Sequence, residues 1–258
     1  MASFHISPEQ LQALFLIFLR ISGMIWLLPV FDGRGIPVLF KAGLCLAMSL
    51  LFLPLLGPSL PTVSGMTAAF GLGAAGELLV GMIIGFSVRL LFAGVQLAGQ
   101  LAGFQMGIGI ANVLDPVTSS QISVIGQFNN LLAMVIFLTA DAHHLFLRAM
   151  AESFRLVPPL GVHYSGAAAW TVIDLSGKMF VIAVQVGAPV VVVLMFSSIA
   201  LGIMARTVPQ MNVFFVAAPA NVIVGLFFIG LSLPFFWTYL VRYFRDFAGE
   251  IHALLKIL

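Results

Sequence analysis

The chain is 258 residues long, 61% hydrophobic and only 8% charged, with a formal net charge of +2. A soluble domain carries about 25% charged residues, so so few cannot keep a folded surface of this size in water. There is no basic tail for nucleic acid and no Lys/Arg run of the kind that gathers on an anionic membrane surface. The class is integral membrane protein. The apolar segments are continuous rather than alternating, which argues against an outer-membrane barrel and for helices. The single cysteine, Cys45, lies in an apolar run and reads as a small buried hydrophobe.

Ser7-Pro8-Glu9-Gln10 has the form of a helix start: a capping hydroxyl, proline in the first turn, then an acid and an amide. The apolar run 11–30 follows, with Arg20 at its centre and Pro29 at its end. Nothing in its first residues resembles a cleavable leader, so this helix is expected to direct insertion itself. A second run covers 38–56, and the loop 57–65 is rich in Pro, Ser and Gly. The stretch 67–104 is long enough for about 57 Å of helix against roughly 30 Å of hydrocarbon, so it is either two helices or one that outruns the lipid.

The next stretch, FQMGIGIANVLDP (104–116), breaks the pattern with Gly107, Gly109, Asn112, Asp115 and Pro116. A plain connection would be shorter and more polar. Glycine gives backbone freedom, while Met106, Ile108 and Ile110 offer a deformable apolar surface next to Gln105. Two readings stand: an ordinary interhelical loop, or a segment that lines or closes a pore.

An apolar helix is expected over 122–140 with Asn129 and Asn130 inside it. Segment 141–160 mixes Leu145, Met150 and Phe154 with Arg148, Glu152 and Arg155, and reads as an amphipathic helix ended by Pro158-Pro159. A long run covers 170–205, the turn 206–212 carries Arg206, Gln210 and Asn212, and a last run covers 213–240 before an amphipathic tail, 241–258. Pro54, Pro189, Pro219 and Pro234 lie inside apolar runs and predict bends. The expectation is an all-α polytopic membrane protein with about six hydrophobic segments and no attached soluble domain. With six alternating spans, five basic residues share the side of the termini and three the other, a weak lean towards cytoplasmic termini.

Charges inside apolar runs come first as candidates, because each costs several kcal/mol unless paired or wetted. They are Arg20, Glu77, Arg89, Asp174, Lys178 and Arg206. Asp174 and Lys178 are four apart and can pair along a helix. Arg20, Glu77 and Arg89 must meet each other, another subunit or water. Structural pairing and a proton or ion relay are the two readings. GLGAAG (71–76) spells a dinucleotide fingerprint without the strand that such a site needs, so its small residues are expected to permit close helix packing, as in GMIIG (81–85) and GQLAG (99–103). Asp141, His143 and His144 suggest a metal only weakly: the two histidines are adjacent and expected on different helix faces, with Asp141 better read as a cap. No nucleophile with a matching base is evident, so no enzyme, cofactor or metal is expected.

Arg20 with LPVF, GELLVGMIIGF with Glu77, AGQLAGFQMG, Asp115-Pro116, ESFRLVPP, Pro189 and LGIMARTVPQMNVF together resemble the FliR family. This is the flagellar biosynthesis component of the bacterial type III export gate, with equivalents in virulence secretion. The resemblance covers nearly the whole chain, and its Gln-Met-Gly and ESFRLVPP wording is more flagellar than virulence-type. DAHH departs from an expected Gly-His. The resemblance implies one copy of this chain assembled with several FliP and FliQ subunits around a central channel, FlhB at its entrance and FlhA nearby. Unfolded flagellar subunits are the cargo, membrane lipid the surroundings, and the inner membrane at the flagellar basal body the location. It further implies a FliP-like part over about 1–165, a FliQ-like hairpin and tail over about 166–258, bent hairpins, and a contribution of 105–121 to the pore plug. The alternatives are a stand-alone proton-coupled solute transporter using Glu77 and Arg89, and an intramembrane enzyme using Asp141, His143 and His144.

Overall fold

The computed structural model describes residues 7–32, 36–56, 68–108, 123–161, 166–208, 210 and 213–258. Among these the chain forms seven α-helices and no strand. They are α1 (Pro8–Leu27), α2 (Val38–Leu56), α3 (Ala68–Gln105), α4 (Val124–Thr139), α5 (Ala142–Leu156), α6 (Gly166–Thr207) and α7 (Val213–Leu255). Five helices are long and apolar enough to cross a membrane, or six if α4 and α5 count as one broken span. The polytopic helical reading of the sequence therefore holds.

Local chemistry sets the ends. The Ser7 hydroxyl accepts from the Gln10 N–H at 3.2 Å while the Gln10 side chain accepts from the Ser7 N–H at 3.1 Å, a reciprocal capping box with Pro8 inside the first turn. The α1 helix stops at Leu27, and Pro29 opens a short 3₁₀ turn, Pro29–Phe31. The Ser123 hydroxyl caps α4 by accepting from the Gly126 N–H at 3.1 Å. Asp141 stands at the N-cap of α5 as expected, but with φ 54° and no side-chain capping bond.

Length decides one open alternative and corrects one expectation. Of the two readings of the stretch 67–104, the single helix outrunning the lipid holds: 68–105 is one helix of 38 residues. The tail is not a separate element, since α7 runs 43 residues through Pro219, Pro234 and Arg242 to Leu255. The α6 helix runs 42 residues through Pro189. Each proline removes one N–H from the ladder, but the surrounding residues keep the helix going.

The helices divide into two compact units. The first comprises Met1–Leu90, Asp141–Leu175 and Arg245–Leu258, and the second Leu91–Ala140 and Ser176–Phe244. In the first, α1 crosses α3 with backbone nearly on backbone. A Cβ added at Gly85 would stand 2.6 Å from the Met24 carbonyl oxygen, one at Gly23 2.5 Å from that of Leu78, and one at Gly81 would collide with the carbonyl of Arg20. The GMIIG segment thus packs as its small residues predict. In the second unit, Gly99 of α3 meets α4, where an added Cβ would lie 2.7 Å from Gly126 Cα. Phe92, Phe137 and Phe244 form an aromatic core there, with centroid separations of 5.3–6.1 Å.

Much apolar surface is left outside. Leu39 is 85% exposed, Leu72 77% and Phe215 75%. Only 11% of the apolar window of α2 is buried. Water would not tolerate such faces, and lipid or partner helices would cover them.

Candidate functional site

Two places concentrate the residues singled out from the sequence. The first lies in the first unit, where α1, α3 and α5 meet. Arg20 of α1 and Glu77 of α3 are both fully buried, and their side chains pair at 2.7 Å. Nε and Nη2 of Arg20 both approach Glu77 Oε2. Arg20 Nη1 donates to the Ser153 hydroxyl at 3.2 Å, and Nη2 donates to the Val157 carbonyl at 3.1 Å. The guanidinium plane lies 4.2 Å from the centre of the Phe154 ring. The second oxygen of Glu77 accepts from the Leu160 N–H at 3.2 Å. A buried charge pair survives only when its remaining hydrogen-bonding capacity is filled, and here the guanidinium and both carboxylate oxygens are engaged.

The pair also holds a strained turn. Leu160 has φ 66°, a left-handed backbone that costs a branched residue about 1–2 kcal/mol. The Glu77 carboxylate fixes that residue's N–H, and the Leu160 side chain fills the space left by the missing Cβ of Gly73. ESFRLVPP therefore wraps around Arg20. Sequence reasoning did not name Ser153, Val157 or Leu160. A signal existed for Ser153, a polar residue on the buried face of α5 between Met150 and Phe154.

The other charges differ. Arg89 meets neither Arg20 nor Glu77; it pairs with Asp32 at 3.2 Å, both side chains about half exposed. Asp174 is exposed and Lys178 half-buried on α6. Arg206 is exposed in the last turn of α6, where a cation suits the helix dipole. Gln210 is exposed as well. Of the six charges singled out as buried or as subunit contacts, this chain buries Arg20 and Glu77.

The second place is the start of the interrupting stretch, in the second unit. The α3 helix ends at Gln105. The Ile108 N–H donates to Gly103 O at 3.2 Å and the Gly107 N–H to Phe104 O at 3.0 Å, with Gly107 at φ 81°. This is a Schellman stop, which needs a residue tolerant of the left-handed region at that position. Gly107 thus fixes the turn here rather than loosening it. Met106 is fully buried among Ala102, Ile125, Val190, Leu194 and Ile229, against the bare backbone of Gly225, and Ile108 packs on the same cluster. Gln105 Oε1 is buried with no hydrogen-bond partner among the described residues. Gly109, Ile110, Asn112, Asp115, Pro116 and Asn212 lie outside the described residues.

Asp141, His143 and His144 form a third cluster, with one potential ligand atom from each within 4.8 Å of the others. The histidine rings do not point apart as their spacing predicts. Their centroids are 4.2 Å apart, and His144 Nδ1 lies 3.5 Å from Asp141. At the first turn of a helix no preceding turn restricts the rotamers, so neighbouring rings can meet. Asp141 and His144 are exposed.

Residues 11–247 match the family model described as bacterial export proteins, family 1. The chain is 36% identical over 219 residues to the flagellar biosynthetic protein FliR of Bacillus subtilis (strain 168), covering 83% of each. It is 32% identical over 220 residues to that of Pectobacterium carotovorum subsp. carotovorum, covering 84% of this chain and 82% of the relative. With the Escherichia coli (strain K12) protein it shares 28% identity over 218 residues, covering 84% and 82%.

Proposed function

Because this chain belongs to family 1 of the bacterial export proteins, with the flagellar FliR proteins, we propose that it is a core subunit of the flagellar type III export gate. In this reading it assembles with FliP and FliQ subunits around a channel for unfolded flagellar subunits, beside FlhB and FlhA, in the inner membrane at the flagellar basal body. Its FliP-like part covers about 1–165 and its FliQ-like hairpin about 166–258. Residues 105–121 contribute to the plug.

The observation that carries the reading is the combination of long helices with uncovered apolar faces. At 1.5 Å per residue, helices of 38, 42 and 43 residues are roughly 57–65 Å long, about twice the hydrocarbon thickness. Helices of that length, with the apolar windows of α6 and α7 largely exposed, suit an assembly that continues beyond the lipid. For the plug, the support is a stiff base. The Schellman stop, the buried Met106 and the close approach of Gly225 anchor the chain where the loop begins. The orphaned Gln105 oxygen at that base suits a partner from the loop or from a neighbouring subunit. The stand-alone transporter reading needs a wetted carboxylate, and Glu77 is dry with both oxygens engaged.

Native mass spectrometry after co-expression with FliP and FliQ tests the proposal. One copy of this chain in a larger assembly is the expected result. A lone monomer or homodimer with both partners present overturns it.

A further inference from the structure

We propose that a cleft between the end of α2 and the polar face of α5 binds the phosphate headgroup of an anionic phospholipid. The cleft lies within the first unit and has a volume of about 250 Å³. Phe52, Leu55 and Leu56, from the last two turns of α2, line one side, and Arg148, Glu152 and Arg155 of α5 line the other.

Charge decides the sign of the ligand. Arg148 and Arg155 are exposed and make no hydrogen bond or ion pair with any described residue. The carboxylate between them is already engaged, with His252 Nδ1 3.0 Å from Glu152 Oε2. Two unpaired guanidinium groups therefore face one occupied carboxylate, and the cleft is electropositive. The arginines are seven residues apart, two turns or about 10 Å along one helix face, so they bracket a headgroup from both sides. Guanidinium matches phosphate with parallel N–H donors, which an ammonium group cannot do.

The apolar wall decides the tail. Leu55 is 75% exposed, and this chain buries only 11% of the α2 window. A phosphate bound between the arginines would have hydrocarbon-compatible surface running away from it along a membrane-length helix. That is the layout of a lipid site at the membrane surface. No run of basic residues exists in the sequence, and the helix alone brings these two onto one face. The proposal rests on the membrane character of the chain and stands apart from the gate reading.

The test uses the full chain in the assembly extracted from membranes with a neutral detergent. After delipidation it is titrated with dioleoylphosphatidylglycerol, dioleoylphosphatidylcholine and sodium phosphate, and bound lipid is counted by native mass spectrometry. Phosphatidylglycerol is expected to bind about tenfold more tightly than phosphatidylcholine at one site, at about 1.4 kcal/mol per tenfold. The double substitution Arg148→Gln/Arg155→Gln is expected to abolish that preference. Glu152→Gln, which keeps both arginines, is expected to tighten phosphatidylglycerol binding about two- to fivefold. Equal binding of the two lipids, or a preference that survives the double substitution, overturns the proposal. Displacement of phosphatidylglycerol by millimolar phosphate identifies a site for free phosphate and overturns the lipid assignment. If the double variant loses its helicity, Glu152→Gln decides alone: unchanged binding overturns the proposal.

Discussion

Glu77 has two oxygens and both are committed, one to Arg20 and one to the Leu160 N–H. Removing either charged partner leaves the other buried and unpaired, which costs about 3–5 kcal/mol. Arg20→Ala and Glu77→Ala are each expected to lower the yield of folded protein sharply in membrane extracts. Replacing both together is different. The double substitution Arg20→Met/Glu77→Leu fills similar volume without charge and is expected to recover most of that yield, because a dry ion pair gains little over good apolar packing. Export assayed as motility separates the structural reading from the relay reading. Motility restored in the apolar double variant shows that the pair holds the fold and carries no proton, whereas recovered yield without motility returns Glu77 to the list of functional groups.

At the scale of the elements, one helix crossing and one helix stop carry the sharpest consequences. A methyl at Gly81 would meet the Arg20 carbonyl, which is backbone and cannot swing aside. Gly81→Ala is therefore expected to push α1 from α3 and disturb the ion pair, costing at least the 1–3 kcal/mol typical of overpacking. Gly43, with nothing near its missing Cβ, is the matched control and Gly43→Ala is expected to be neutral or slightly stabilising. Thermal unfolding in detergent compares the two, and equal midpoints argue against the tight crossing. At the end of α3, Gly107→Ala places a side chain at φ 81° and is expected to destabilise by about 1 kcal/mol, with Gly107→Asn milder. Equal stability of all three residues at 107 is the outcome that argues against the Schellman stop.

At the scale of the whole molecule, the question is what this chain closes. If the loop beyond Ile108 contributes to a plug, deleting 109–113 while keeping the Gly107 stop leaves assembly intact and lets ions through the closed channel. Conductance of the reconstituted assembly in a planar bilayer checks this, and an unchanged baseline removes the loop from the plug. The same assembly would cover the apolar faces that α6 and α7 leave bare, and there the exposed Arg206 is proposed to meet a neighbouring subunit. Arg206→Ala is expected to reduce the yield of complete assembly without changing the stability of this chain. Normal assembly yield in that variant would show Arg206 to be solvated only.

The membrane class, the helical build and nearly every helix start were legible in the sequence, because each depends on neighbours within a few residues. Hydrocarbon demands continuous apolar runs, and Ser7-Pro8-Glu9-Gln10 caps a helix by local hydrogen bonds. Membership of the export family was legible too, since it rests on motif wording spread along the chain. What the sequence left open were the partners of charges far apart in it. Arg20 and Glu77 are separated by 57 residues, and so are Asp32 and Arg89. Nothing local distinguishes the dry pair from the wet one. Packing of α1 on α3 through Gly81 and Gly85 buries the first, and the absence of a covering helix leaves the second in the open. The reach of the last helix was also missed: 213–255 runs on as one helix where the composition after 240 reads as a separate amphipathic tail. Residue chemistry fixed the solvent of this protein and the periodicity of its elements. Only the tertiary structure decided which charges meet, because burial is a property of the whole packed chain.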